Sequence, residues 1–146
     1  MISMEISKAI NYRESIVVLL TAEKLPVDDL PATLESFLVA RQNDELIGVV
    51  GLEVYGNYSL LRSLAVQPGW RSRGIAGKLL REIEILAHLK GSKAIYLLTE
   101  TAPDYFNHKN YIKITRNDVP AEVQQSSEFS HVCPQSAIVM MKTLTQ

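Results

Sequence analysis

A single cysteine among 146 residues, Cys133, leaves no partner for an internal disulfide, so the fold is expected to stand without a covalent staple. Such usage fits a reducing compartment, and the cytoplasm is the expected location. No Cys and His residues fall at zinc spacing, and no metal is expected. Charge of one sign is missing too: Lys plus Arg total 15 against 16 Asp plus Glu, a formal net charge of −1. Nucleic acid and anionic membrane both demand a cationic face, so neither is an expected partner. No apolar run approaches the roughly 18 residues of a membrane helix. The run at 16–20 follows Arg13 and Glu14 and leads into Glu23, Lys24, Leu25 and Pro26 rather than a small-residue cleavage site. A core-facing helix is therefore expected there, not a leader. Internal repeats and low-complexity blocks are also absent.

What remains is ordinary globular composition, 47% hydrophobic and 21% charged, at a length expected to form one domain over 1–146. Residues 6–9 read as a short strand. Ile16, Leu19 and Leu20 give helical spacing within 12–22. Residues 37–41, a turn at Asn43-Asp44, then 46–55, a turn at Gly56-Asn57, then 58–66 read as an antiparallel meander. Gly48 and Gly51 within it imply close backbone approach or a bulge. Past 67–69 the period changes: Ile75, Leu79, Leu80, Ile83, Leu86 and Ala87 share one helical face over 75–90, ended by Gly91. The apolar run 94–98 reads as a buried strand parallel to 58–66, completing a βαβ unit. A short helix at 103–109 stops at Asn110, and 137–143 reads as a last strand. The polar stretch 117–135 holds at most a turn or two of helix within 121–129.

The chemistry concentrates at Val66-Gln67-Pro68-Gly69-Trp70-Arg71-Ser72-Arg73-Gly74-Ile75-Ala76-Gly77. A strand ends, a loop with two arginines follows, and a helix opens on small residues. The first turn of a helix leaves about four N–H groups without partners, and its dipole favours an anion. Gly74, Ala76 and Gly77 allow a phosphate to approach the backbone, and Arg71 and Arg73 add charge-assisted bonds. A ligand carrying a diphosphate is expected here. A P-loop would need glycine at Ser72 and Ser or Thr at Leu79, and no G-x-G-x-x-G is present.

The six residues Arg71-Ser72-Arg73-Gly74-Ile75-Ala76 resemble the acetyl-CoA motif of the GNAT acetyltransferase superfamily, in which Gln or Arg is followed, after two intervening residues, by Gly-x-Gly/Ala. Tyr105-Phe106 through Asn110-Tyr111 resembles its second signature. Over roughly residues 4–143 the resemblance implies an α+β GNAT fold: a mixed, mostly antiparallel central sheet of about six to seven strands, flanked by helices, with a βαβ acetyl-CoA unit. It implies acetyl-CoA as co-substrate, held by Leu64, Ala65 and Val66 on the strand, by Arg71, Ser72, Arg73, Gly74, Ile75, Ala76 and Gly77, and by Phe106. The pantetheine arm would pair with the backbone of Leu64 and Val66, and the N–H of Ala65 or Val66 would polarise the thioester carbonyl. Three stretches, 61–66, 96–102 and 128–137, look more narrowly like the arsenic-resistance N-acetyltransferases. That likeness implies a small, amino-acid-like amine as partner rather than chemistry on arsenic.

The expected activity is transfer of acetyl from acetyl-CoA directly to such an amine, by a monomer or homodimer. The alternatives are a CoA-binding sensing module with little turnover, and an acetyltransferase for protein N-termini or lysines. Members of the superfamily often carry carboxylates where Arg62 and Ser63 stand, so Glu53 and Glu100 are the candidate bases, acting through water. Arg62, with Ser63, is the candidate grip on a substrate carboxylate, because an arginine within an apolar strand needs a partner. The superfamily's usual tyrosine acid falls at Phe106, which leaves neighbouring Tyr105 as the candidate acid, with Tyr111 and Ser136 as remoter ones. His88, His108 and His131 lack catalytic spacing, and Trp70 is expected to pack beside the phosphate loop.

Overall fold

The computed structural model describes residues 4–129 and 136–144. In chain order the elements are β1 (Met4–Lys8), α1 (Arg13–Ala22), β2 (Phe37–Gln42), β3 (Glu45–Tyr55), β4 (Tyr58–Val66), α2 (Ile75–Leu89), β5 (Ala94–Thr99), α3 (Pro103–His108), β6 (Ile112–Ile114), α4 (Ala121–Gln124) and β7 (Ile138–Thr143). The strands form one seven-stranded sheet in the order β1-β2-β3-β4-β5-β7-β6. The ladders are antiparallel for β1–β2, β2–β3, β5–β7 and β6–β7, and parallel for β4–β5. This is the mixed, mostly antiparallel sheet expected of a GNAT fold. The chain divides into two compact units, Met1–Leu52 with Ser63–Leu86, and Glu53–Arg62 with Ala87–Gln146.

The first unit holds β1, α1, β2, most of β3 and the end of β4. α1 buries Ile16, Leu19 and Leu20 and carries Glu14 in its first turn, where a carboxylate favours the helix dipole. It ends as Lys24 turns left-handed (φ 61°) and Leu25 N–H reaches back to Leu20 C=O at 2.9 Å. The two strand glycines are explained by what lies against them. A Cβ on Gly51 would overlap the Phe37 ring, and one on Gly48 would sit 3.0 Å from Leu79 Cδ1 and 3.2 Å from Ala65 O. Gly48 thus admits the first turns of α2 close to the sheet, while the register slips by one residue between Ala40 and Arg41. Ile16, Leu20, Leu34, Phe37, Val39 and Val49 make the centre of this unit's core.

In the second unit the parallel β4–β5 ladder runs over three pairs, from Tyr58↔Ala94 to Leu60↔Tyr96. β7 pairs antiparallel with β5 from Ala94↔Thr143 to Thr99↔Ile138. Leu60, Tyr96, Val123, Phe129 and Val139 form its core. Strand β6 was not expected from the sequence: it is three residues long and its Ile112 is exposed, so no alternation betrays it. Within 121–129 helix appears as α4, with Val123 buried, and again as a single turn over 127–129. His131 and Cys133 lie outside the described residues. Among the described residues no helix is long and apolar enough to cross a membrane, and no His, Cys, Asp and Glu gather in a metal-sized group.

Candidate functional site

The loop after β4 is built by its ends. Gln67 N–H donates to Ile47 C=O at 2.8 Å and Gln67 Nε2 to Leu46 C=O at 2.6 Å, which fixes where the strand stops. Pro68–Trp70 form one 3-10 turn, in which proline's missing N–H costs nothing at the first helical position. Ser72 (φ 64°) and Gly74 (φ 79°) are both left-handed. A Cβ at Gly74 would meet nothing within 4 Å, so glycine is there for its backbone angle and for room outside, not for packing.

Helical hydrogen bonding begins at Gly74. The bond from Lys78 N–H to Gly74 C=O, 3.1 Å, is of the helical i to i−4 kind, and Ile75, Ala76 and Gly77 stand in the turn before it. The first turn of α2 carries no acidic residue, so no carboxylate of its own competes for this end. Arg73 stacks over the Trp70 ring at 4.8 Å from its centroid, which places Trp70 beside the loop. Arg71 Nε donates to Val66 C=O at 3.4 Å while its Nη2 pairs with Glu23. Residues 71–74 are exposed. Two guanidinium groups, free helix N–H groups and a left-handed glycine make a donor set that fits a diphosphate. A neighbouring cavity of about 730 Å³ does not fit one: Glu14, Glu23, Asp44 and Glu45 line it, and carboxylates repel phosphate.

On β4, Ser63 is left-handed (φ 63°) and buried, an angle that costs a non-glycine residue about 1–2 kcal/mol. It breaks the pleat ahead of Leu64, Ala65 and Val66, and such irregularities re-aim a strand's backbone groups. Leu64 is half-buried, and Ala65 and Val66 are buried.

In the second unit two candidate residues meet. Arg62 Nη1 lies 2.7 Å from Glu53 Oε2, and Arg62 Nε lies 3.4 Å from Glu128 Oε2. The Arg62 side chain has no exposed surface, and Tyr55 Oη donates to Glu53 Oε1. The expectation of an Arg62 guanidinium held open for a substrate carboxylate is corrected here: two protein carboxylates already satisfy it. Burial forces this arrangement, because an unpaired charge inside a fold costs far more than a paired one. Glu128 was missed as a site residue, since nothing near it in sequence announces a partner 66 positions away.

Tyr105 is half-buried on α3, its ring edge-on to Phe106 at 5.4 Å and Lys109 Nζ 5.7 Å from its centroid. Phe106 is buried and packs edge-on to fully buried Tyr111 at 5.6 Å, a core contact. Glu100 is exposed, one residue past β5. Tyr96 is buried, and burial, with Tyr58 second, pushes its phenol above the usual tyrosine value.

A sheet of this order, with a helix that opens on glycine after its fourth strand, is the architecture of the GNAT class. The chain belongs to that family: the profile of the acetyltransferase (GNAT) domain matches residues 33–113, more than half of its length. Solved structures agree in fold. N-acetylglutamate synthase from Neisseria gonorrhoeae, complexed with coenzyme A and L-arginine, superposes with TM-score 0.85 at 15% identity over 100% of this chain. This chain spans 34% of that synthase. Rv2747 from Mycobacterium tuberculosis, in complex with CoA, matches at TM-score 0.81 and 22% identity over 97% of this chain and 99% of its own. A GNAT-family acetyltransferase from Staphylococcus aureus matches at TM-score 0.78 and 23% identity, covering 98% and 100%.

Proposed function

We propose that this chain is an acetyl-CoA-dependent N-acetyltransferase acting on the amine of a small, amino-acid-like metabolite. The observation that carries the reading is the opening of α2: N–H groups of residues 74–77 with Arg71 and Arg73 beside them, at the position of the family's acetyl-CoA motif. Acetyl-CoA supplies the activated acyl group as a thioester. The α2 N–H groups and the two arginines bind its diphosphate, and the backbone of Leu64 and Val66 pairs with the pantetheine amides. The N–H of Ala65 or Val66 donates to the thioester oxygen as it gains charge.

The acceptor must lose a proton before it attacks. An α-amine, with a pKa near 7.7–8.0, is already partly neutral at pH 7, whereas a lysine amine near 10.4 needs about 4.6 kcal/mol to become neutral there, roughly 3.5 kcal/mol more than the α-amine. That difference favours an amino-acid-like acceptor, which asks less of a base, since Glu53 is already paired with Arg62. Glu53 and Glu100 are the candidate bases through water, and Tyr105 or water returns a proton to the thiolate. The likeness of 61–66, 96–102 and 128–137 to arsenic-resistance N-acetyltransferases supports the same acceptor class, as does the N-acetylglutamate with which, together with coenzyme A, the Neisseria synthase was crystallised.

The test is thiol release from acetyl-CoA across free amino acids, short peptides and no acceptor. Release with free amino acids only is the expected result. Release with peptides only points to a protein acetyltransferase. Tight CoA binding with no release points to a sensing module, the reading that Phe106 in place of the superfamily's tyrosine would favour.

A further inference from the structure

We infer that Glu23 is a positioning residue for acetyl-CoA: from the end of α1 it holds Arg71 in the orientation that receives the diphosphate. This rests on the reading of the α2 loop given above and adds a residue that the loop's own sequence does not contain. An exposed arginine has a long, freely rotating side chain, and ordering it on a ligand costs affinity. Arg71 is ordered in advance at two points. Its Nε sits on Val66 C=O at 3.4 Å, and its Nη2 is paired with Glu23.

The anchor is itself fixed. Glu23 caps α1, its N–H bonded to Leu19 C=O at 3.0 Å, and its side chain is only 18% exposed while that of Arg71 is 53% exposed. Lys24 turns the chain away immediately afterwards, so the carboxylate has little freedom to follow a moving partner. A guanidinium carries five N–H donors in one plane. With one on Val66 and one on Glu23, three remain, enough for two oxygens of a diphosphate on the exposed side. The carboxylate thus acts through Arg71 and need not touch the ligand.

Titration calorimetry of the full chain with CoA, and with pantetheine, which lacks the diphosphate, tests this. Glu23→Gln is expected to raise the Kd for CoA about three- to tenfold, the scale of ordering one long side chain. Pantetheine binding is expected to stay within about twofold, the limit for a site with no shared partner. In an Arg71→Ala background, Glu23→Gln is expected to add nothing further. Glu23→Asp, which keeps the charge, is expected to recover part of the loss. Tighter CoA binding by Glu23→Gln would overturn the inference, since Glu23 would then be a competitor of the phosphates. So would an unchanged Kd alongside a weakened Arg71→Ala, an outcome that leaves the diphosphate reading intact. An Arg71→Ala variant that binds CoA as well as wild type would overturn the inference together with the role given to Arg71 in the diphosphate site.

Discussion

Removing the Arg62 guanidinium strands two carboxylates inside the protein. Glu53 and Glu128 have 15% and 5% of their side-chain surface exposed, and both face Arg62, at 2.7 and 3.4 Å. At an effective dielectric of about 20 these separations correspond to roughly 6 and 5 kcal/mol of gross attraction. Most of that only offsets desolvation, so the net loss on breaking the group is nearer to about 3–5 kcal/mol. For a chain of this length, unfolding entropy of about 0.3 kcal/mol per kelvin turns that into a fall in Tm of about 10–15 °C. We therefore predict that Arg62→Ala loses about 3–5 kcal/mol in urea denaturation at pH 7. Arg62→Met combined with Glu53→Gln and Glu128→Met is expected to regain most of the loss, because the amide oxygen that replaces the Glu53 carboxylate still accepts the Tyr55 hydroxyl. A cost for Arg62→Ala below about 1 kcal/mol, the range of an exposed ion pair, would refute the reasoning.

Other outcomes follow from single contacts. Gly51→Ala drives a Cβ into the Phe37 ring and is expected to cost about 1–3 kcal/mol by urea denaturation. Gly74→Ala keeps the space but not the left-handed angle (φ 79°), so it is expected to cost about 1–2 kcal/mol of stability and to weaken CoA binding in calorimetry. Tyr96 has a phenol held above its usual pKa by burial, so its contribution is present below pH 10 and lost as pH rises through the folded value. Tyr96→Phe is accordingly expected to flatten the decline of Tm above pH 10.

Much of the fold was legible because its signals are local. The α2 stripe from Ile75 to Ala87, the turns at Asn43 and Asn110 (φ 56° and 75°), and the two strand glycines all read from neighbours in sequence. So did the parallel pairing of β4 with β5, since a strand, a helix and a strand of that length connect in one way. The candidate anion site reads from local sequence for the same reason: its proposed donors lie within seven consecutive residues. What did not read was set by distant contacts. Arg62 was expected to seek a carboxylate, but only the folded chain shows that Glu53 and Glu128 supply it. Glu23 and Arg71 lie on different elements, and no spacing rule joins them. Strand β6 owes its existence to pairing with β7 at Ile112↔Met141 through Ile114↔Val139, not to any alternation of its own.

The central claim is that backbone amides at the start of α2 hold the diphosphate of acetyl-CoA. Amide chemical shifts of the isotopically labelled protein, followed as CoA is added, report those groups individually. The account predicts that the N–H resonances of Gly74, Ile75, Ala76 and Gly77 move most, and that pantetheine alone leaves them in place. Saturable CoA binding that shifts other amides while these four stay still would contradict it.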